Sequence, residues 1–94
     1  MTEFRFKAFS EQYKMQYEIV GFWDFDVNWG SIHIYDEITR ITKKHFYDFE
    51  EFSKNFAKLK DDLAKNPDKF GDTVFEYDRL MKTFTYELFF KKEA

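Results

Sequence analysis

The chain has 94 residues, with 15 Lys and Arg against 18 Asp and Glu, and a formal net charge of −3. This length predicts one domain over residues 1–94. The lack of cysteine excludes disulfides and thiolate metal sites, and the negative charge gives no global reason to bind nucleic acid or an anionic membrane. No apolar run approaches the roughly 20 residues that span a bilayer, and the N-terminus alternates with charge, unlike a signal peptide. We therefore expect a cytoplasmic protein without a membrane partner.

Aromatic residues are unusually frequent, at 23% of the chain, with 14 Phe, 6 Tyr and 2 Trp. Each of these side chains can bury about 150–250 Å² and so contribute strongly to a core. In a chain this small we expect a surplus of rings on a binding or subunit surface.

The N-terminal part of the chain alternates polar and apolar residues, as half-buried strands do. One strand is predicted over residues 3–9 and a second over 13–20, joined by a polar turn at 10–12 as a β-hairpin. Gly21 interrupts this pattern, and a third strand is predicted after it. The residues expected on one face of that strand are Trp23, Phe25, Val27 and Trp29.

Residues 31–47 predict one or two further strands. Ile32 and Ile34 would share one face of them, with His33 and Tyr35 on the other. The phase of the alternation changes past residues 36–37, which favours a turn or a bulge there.

The clearest element is an amphipathic helix over residues 48–65. Asp48 is a suitable N-cap and Glu51 follows it as in a capping box, while Tyr47 and Phe52 are spaced as a hydrophobic staple. Two pairs on the polar face have the favourable i,i+4 order, Glu50–Lys54 and Asp61–Lys65. The apolar stripe consists of Phe49, Phe52, Phe56, Leu59 and Leu63.

Beyond this helix we predict a loop over 66–72, because Pro67 cannot continue a helix. Residues 73–90 fit either a helix or a pair of strands, and their Thr, Tyr and Phe content favours strands over 83–90. The predicted fold class is α+β: a single antiparallel sheet of about five to seven strands, in the order β-β-β-β(-β)-α-β-β, with one helix (about 48–65) packed on one face.

Motifs for catalysis or metal binding are weak. Asp24, Asp26 and Asn28 alternate as oxygen ligands do in calcium loops, but Trp29 stands where an EF-hand requires Gly. The two histidines, His33 and His45, have no metal-ligand spacing to other residues, and no Ser-His-Asp arrangement or Gly-rich phosphate loop is present. We predict neither enzymatic activity, nor a metal site, nor a cofactor.

The distribution of charge points to a binding function. No Lys or Arg occurs between residues 15 and 39, whereas acidic residues recur there and basic residues follow. We predict a non-enzymatic protein that binds a basic surface of another protein. We expect it to be an inhibitor of a bacterial or phage enzyme or defence complex, of the immunity or anti-defence type (anti-CRISPR-like). The predicted partner-binding residues are Trp23, Asp24, Asp26, Trp29, Tyr35, Asp36 and Glu37.

Two alternatives stay open. A single-stranded nucleic-acid-binding sheet would use Arg40, Lys43 and Lys44 together with aromatic residues of the sheet, although the net charge makes this alternative weaker. A structural homo-oligomer, such as a homodimer, would pair exposed edge strands between copies.

Overall fold

The computed structural model describes residues 1–37 and 39–76, and the strands predicted over 83–90 lie outside them. Within the described residues, four strands and two helices follow one another along the chain. They are β1 (Thr2–Ser10), β2 (Met15–Asp24), β3 (Trp29–Tyr35), β4 (Arg40–Phe46), α1 (Phe49–Lys65) and α2 (Pro67–Glu76). The strands form an antiparallel sheet in the order β1-β2-β3-β4. The α+β class and the antiparallel sheet are confirmed, whereas the described part has fewer strands and one more helix than predicted.

Strand register divides the sheet into two faces. Phe4 lies opposite Gly21, and Gly21 lies opposite Ile32 in β3. Because directly opposed residues point to the same side of a sheet, one register row fixes the side of every other residue. We call the side that packs against α1 and α2 the helix face. The opposite side, which no described helix covers, is the open face.

The core lies between the helix face and α1. Trp23 is completely buried, and its ring centroid lies 5.1 Å from that of Phe52, which in turn packs edge-on against Phe46 at 6.0 Å. Full burial of a side chain such as Phe52 stabilises the fold by about 1.5–3 kcal/mol. The residues that complete this core are Tyr17, Ile19, Ile32, Ile34, Leu59, Leu63 and Phe70.

The predicted break at Gly21 is wrong, since β2 continues through it to Asp24. A Cβ at Gly21 would lie 2.9 Å from Cζ of Phe52, so the glycine allows α1 to approach the sheet and does not form a turn. The chain turns instead at residues 25–28, where Asn28 adopts a positive φ of 50°. Phe25 and Val27 therefore lie exposed in this turn, and the expected third strand with its shared aromatic face does not exist.

Helix α1 confirms the predicted helix closely. The Glu51 backbone N–H donates to the Asp48 side chain at 3.2 Å, as an N-cap requires. Both i,i+4 pairs form on its polar face, Glu50–Lys54 at 3.2 Å and Asp61–Lys65 at 3.0 Å. The predicted staple is wrong: Tyr47 is 73% exposed, while Phe52 packs into the core.

Helix α2 replaces the loop predicted over 66–72. Asn66 ends α1, and its side-chain oxygen accepts the Lys69 backbone N–H at 3.1 Å, so the same residue caps the second helix. Pro67 occupies the first position of α2, where its missing N–H costs nothing and its fixed φ suits a helix. The proline thus ends one helix and begins the next. Neither described helix has the length and apolar character required to cross a bilayer.

Candidate functional site

The structure separates the predicted partner-binding residues into three places. Trp23 lies on the helix face and is 0% exposed, so it belongs to the core and is not available to a partner. Asp24, Asp26 and Trp29 lie at the β2–β3 turn, where Oδ1 of Asp24 accepts the Asp26 backbone N–H at 2.9 Å. Tyr35 is the last residue of β3, at the other end of the strand, and Asp36 and Glu37 follow it. At about 3.4 Å per residue, the length of β3 puts the two acidic groups about 20 Å apart.

Tyr35, Asp36 and Glu37 do come together with residues of β1 and β2. They line a groove of about 220 Å³ on the open face. Glu18 lies directly opposite Tyr35 in the sheet register and also lines this groove. The other lining residues are Arg5, Val20 and Phe22. We call this feature the Glu18–Tyr35 groove.

The floor of the Glu18–Tyr35 groove is apolar. Val20 is only 1% exposed although no described helix covers it, so its neighbours on the open face close over it. Its neighbours across the sheet are Arg5 on β1 and His33 on β3. The half-buried ring of Phe22 also lines the groove and gives it an apolar side.

The rim of the groove is acidic and well positioned. Glu37 Oε1 accepts the Gln16 backbone N–H at 3.1 Å, and Asp36 Oδ1 accepts the Thr39 backbone N–H at 2.7 Å. These bonds hold both carboxylates at the β3–β4 turn without neutralising their charge. With Glu18, three carboxylates line the groove against one guanidinium, that of Arg5.

Arg5 is already engaged by carboxylates. Its Nη1 donates to Glu18 Oε1 at 3.2 Å, and its Nε donates to Glu3. The hydrogen bond to Glu3 is the main reason why the pKa of Arg5 is raised above its ordinary value. The groove therefore demonstrates, within the chain itself, that Glu18 can bind a guanidinium.

Next to the groove, the open face carries a group of aromatic rings. His33 packs edge-on against Phe22 at 5.5 Å, and its Nε2 lies 2.9 Å from Ser31 Oγ. Trp29 stacks on His45 at 5.2 Å. Burial, followed by the positive charges of Arg40, Lys43 and His45, lowers the pKa of His33 and favours the neutral imidazole.

The predicted nucleic-acid-binding cations do not share one face. Lys43 and Arg40 lie opposite His33 and Tyr35 on the open face. Lys44 lies opposite Ile32 on the helix face, where its Nζ is 5.2 Å from the centroid of the Phe46 ring. Among the described residues no group of three His, Asp or Glu side chains is arranged to hold a metal ion.

Sequence reasoning missed Glu18, Val20, Phe22 and Arg5 as members of a site. The expected break at Gly21 separated Glu18 from Phe22, which in fact share β2. The sequence also carried no signal for the register that sets Glu18 opposite Tyr35. Comparison of the chain with protein-family models, curated proteins and solved structures finds no match.

Proposed function

We propose that this protein is a non-enzymatic binding protein whose Glu18–Tyr35 groove receives a basic side chain from a partner protein. The observation that carries the proposal is the convergence of three carboxylates and a tyrosine over an apolar floor on the open face. The partner is still a protein with a basic surface, as predicted from the sequence, but the residues that contact it differ from those predicted. Tyr35, Asp36 and Glu37 stay in the contact site, Glu18 and Phe22 join it, and Trp23 leaves it.

The groove matches the chemistry of a lysine or arginine side chain in each of its parts. The aliphatic stem of such a side chain would pack on the half-buried ring of Phe22, since Val20 beneath it is already covered. Its charged end would reach the carboxylates of Glu18 and Glu37, and the Tyr35 ring could add a cation–π contact of about 0.5–1 kcal/mol at an exposed position. Each contact uses a different atom of the ligand, which gives selectivity for long cationic side chains over short or neutral ones.

The charge arrangement also suits rapid association. A partner surface rich in Lys and Arg would be attracted to the acidic rim, and such attraction acts mainly on the association rate and on orientation. Covering a basic functional surface of an enzyme is sufficient to inhibit it. We therefore assign the protein to cytoplasmic inhibitors of bacterial or phage enzymes, of the immunity or anti-defence type. This class assignment rests on size, composition and the lack of catalytic motifs.

Single-stranded nucleic acid is a weaker proposal for the same face. Trp29, His45 and Lys43 could stack on a base and contact a phosphate. However, Lys44 lies on the helix face, and Glu3 and Glu18 share the open face with these rings. Phosphates would meet carboxylates across most of this surface.

The proposal is tested by NMR titration of the labelled protein with a short arginine-containing peptide and with the same peptide carrying citrulline, which keeps the shape and lacks the charge. We expect the arginine peptide to shift the amide signals of Glu18, Val20 and Tyr35, and the citrulline peptide to shift them much less. The double variant Glu18→Gln/Glu37→Gln should lose most of the binding, while it keeps acceptors for Arg5 and Gln16.

The matched control is Asp61→Asn/Asp62→Asn, which removes the same charge from the polar face of α1. If the control weakens binding as much as the groove variant, the attraction is only global and the groove assignment is wrong. Equal shifts with both peptides would reject the role of the cation. Tighter binding of an oligonucleotide than of the arginine peptide, lost in Lys43→Ala, would favour the nucleic-acid function instead.

A further inference from the structure

Strand β1 forms one border of the described sheet. It pairs with β2 over its whole length, from Thr2 opposite Trp23 to Ser10 opposite Met15, without a register shift. A long regular border strand presents its outer backbone N–H and C=O groups for pairing with another strand. Natural proteins protect such borders with charges, bulges or prolines, and β1 has charges alone.

The two border strands differ in whether a copy of the same strand could pair with them. Strand β4 carries Arg40, Lys43 and Lys44 and no acidic residue, so pairing β4 with itself would oppose like charges. Strand β1 carries Glu3 on one side of Arg5 and Lys7 on the other, at equal spacing. Antiparallel self-pairing centred on Arg5 sets each of these charges opposite its complement.

We propose that β1 pairs antiparallel with β1 of a second copy, centred on Arg5, to form a continuous sheet through a symmetric dimer. On the open face, Glu3 of each copy then faces Lys7 of the other, and Met1 faces Phe9. On the helix face, Phe4 faces Phe6 and Thr2 faces Ala8. Every one of these contacts occurs twice because the interface is symmetric.

The proposed register covers the apolar residues that β1 leaves exposed. Phe9 is 46% exposed on the open face, and Met1, which directly precedes β1, is 77% exposed. Phe4 and Phe6 are half-buried at the border of the core, with Phe4 6.0 Å from the ring of Phe52. Pairing extends the aromatic layer of one copy into that of the other and removes these surfaces from water.

Arg5 lies on the symmetry axis, where it meets the Arg5 of the second copy. Each guanidinium is already paired with Glu3 and Glu18 of its own chain, so the two positive charges are compensated before they approach. A register centred on Phe4 would avoid this approach. It would, however, leave Phe9 without a facing residue in the second copy.

Charge exchange between Glu3 and Lys7 tests the proposal. Equilibrium ultracentrifugation of the whole chain should show a concentration-dependent monomer–dimer equilibrium. Glu3→Lys and Lys7→Glu should each weaken the dimer on the order of tenfold, because each opposes like charges at two symmetric positions. The double variant should restore it towards the original affinity. The double variant still lacks the original contacts of Glu3 and Lys7 within each chain, such as the Glu3–Arg5 ion pair. A recovery of dimer affinity can therefore come only from the contact between the two copies.

The control variant is Asp62→Lys, which makes the same charge change as Glu3→Lys on the polar face of α1 and should leave the dimer unchanged. Circular dichroism of each variant establishes that it is folded. Amide hydrogen exchange of β1 should slow with increasing protein concentration, as pairing between copies requires.

Three results would overturn the proposal. A monomer at every concentration would do so, as would a double variant no better than its parents. Slow exchange of all β1 amides independent of concentration would show that the border is already covered within one chain. If the unmodified protein dimerises but does not bind the arginine peptide, only the proposed function of the groove is rejected. The two proposals can therefore fail separately.

Discussion

Because β2 and β3 are closely packed at Gly30, we predict that even an alanine at this position destabilises the fold. A Cβ added at this residue would lie within 3.0 Å of the Phe22 backbone carbonyl oxygen and of Cε3 of Trp23, which real Cβ atoms essentially never do. Trp23 is completely buried beneath α1, and the carbonyl belongs to the neighbouring strand. Neither group can move without opening the sheet or displacing the largest core side chain.

The expected cost of Gly30→Ala follows from this geometry. Extra atoms in a well-packed core cost about 1–3 kcal/mol, and a clash with backbone falls at or above the upper end. For a domain of this size, about 3 kcal/mol lowers the melting temperature by roughly 12–24 °C. Gly21→Ala is the matched comparison. Its Cβ would meet only the ring edges of Phe52 and Phe56, at 2.9–3.2 Å, which can shift by a few tenths of an ångström.

Urea unfolding followed by tryptophan fluorescence measures both variants. We expect Gly30→Ala to lose about 3 kcal/mol of unfolding free energy and Gly21→Ala to lose less than about 1.5 kcal/mol, because only the Cβ at Gly30 meets backbone. In both variants alanine loses less backbone entropy on folding than glycine does, which offsets part of the cost. Equal losses, or the reverse order, would refute the argument that the β2–β3 backbone contact at Gly30 is the tighter one.

Three further predictions concern local contacts. Asn66→Ala should lose about 1 kcal/mol of unfolding free energy, because α2 loses its N-cap, and Asn66→Ser should retain most of it in urea unfolding. The hydrogen bond to Asp72 raises the pKa of Tyr13 from 10.0 to about 12. This hydrogen bond therefore stabilises the fold below pH 10, and the stabilisation is lost as the pH rises towards 12. The Tyr13→Phe variant, which lacks the hydroxyl, should not show this loss when its unfolding is measured at alkaline pH. The pKa of His33 is lowered, chiefly by burial. Stability should consequently fall as pH drops below about 6.5, since the unfolded chain binds the proton more readily, and NMR titration of His33 should show a midpoint below 6.5.

Sequence reasoning succeeded where a feature depends on residues close together in the chain. The period of Phe52, Leu59 and Leu63, the Asp48 cap and the i,i+4 ion pairs are all properties of one helix, and each is present in α1. Alternation likewise placed Ile32 and Ile34 on one face of a strand, and both are buried side by side on the helix face of β3. These signals are local because helix and strand geometry repeats within a few residues.

Tertiary structure decided what the same local signals left ambiguous. Gly21 and Pro67 both read as breaks in the sequence. The approach of the Phe52 ring explains the glycine within a strand, and the cap at Asn66 places the proline at the start of a helix. Whether a residue breaks an element depends on what packs against it, which its neighbours in sequence do not specify.

The proposed binding surface also depends on tertiary structure. Trp23 and Trp29 follow the same alternation in the sequence, yet the turn at 25–28 sends one into the core and the other to the open face. Glu18 and Tyr35 are 17 positions apart and meet only through the register of β2 with β3. The sequence by itself determined the fold class, the first helix and the acidic character of the stretch between residues 15 and 39. Strand register, a relation between distant segments set by packing on α1, decided which of those charges share a groove.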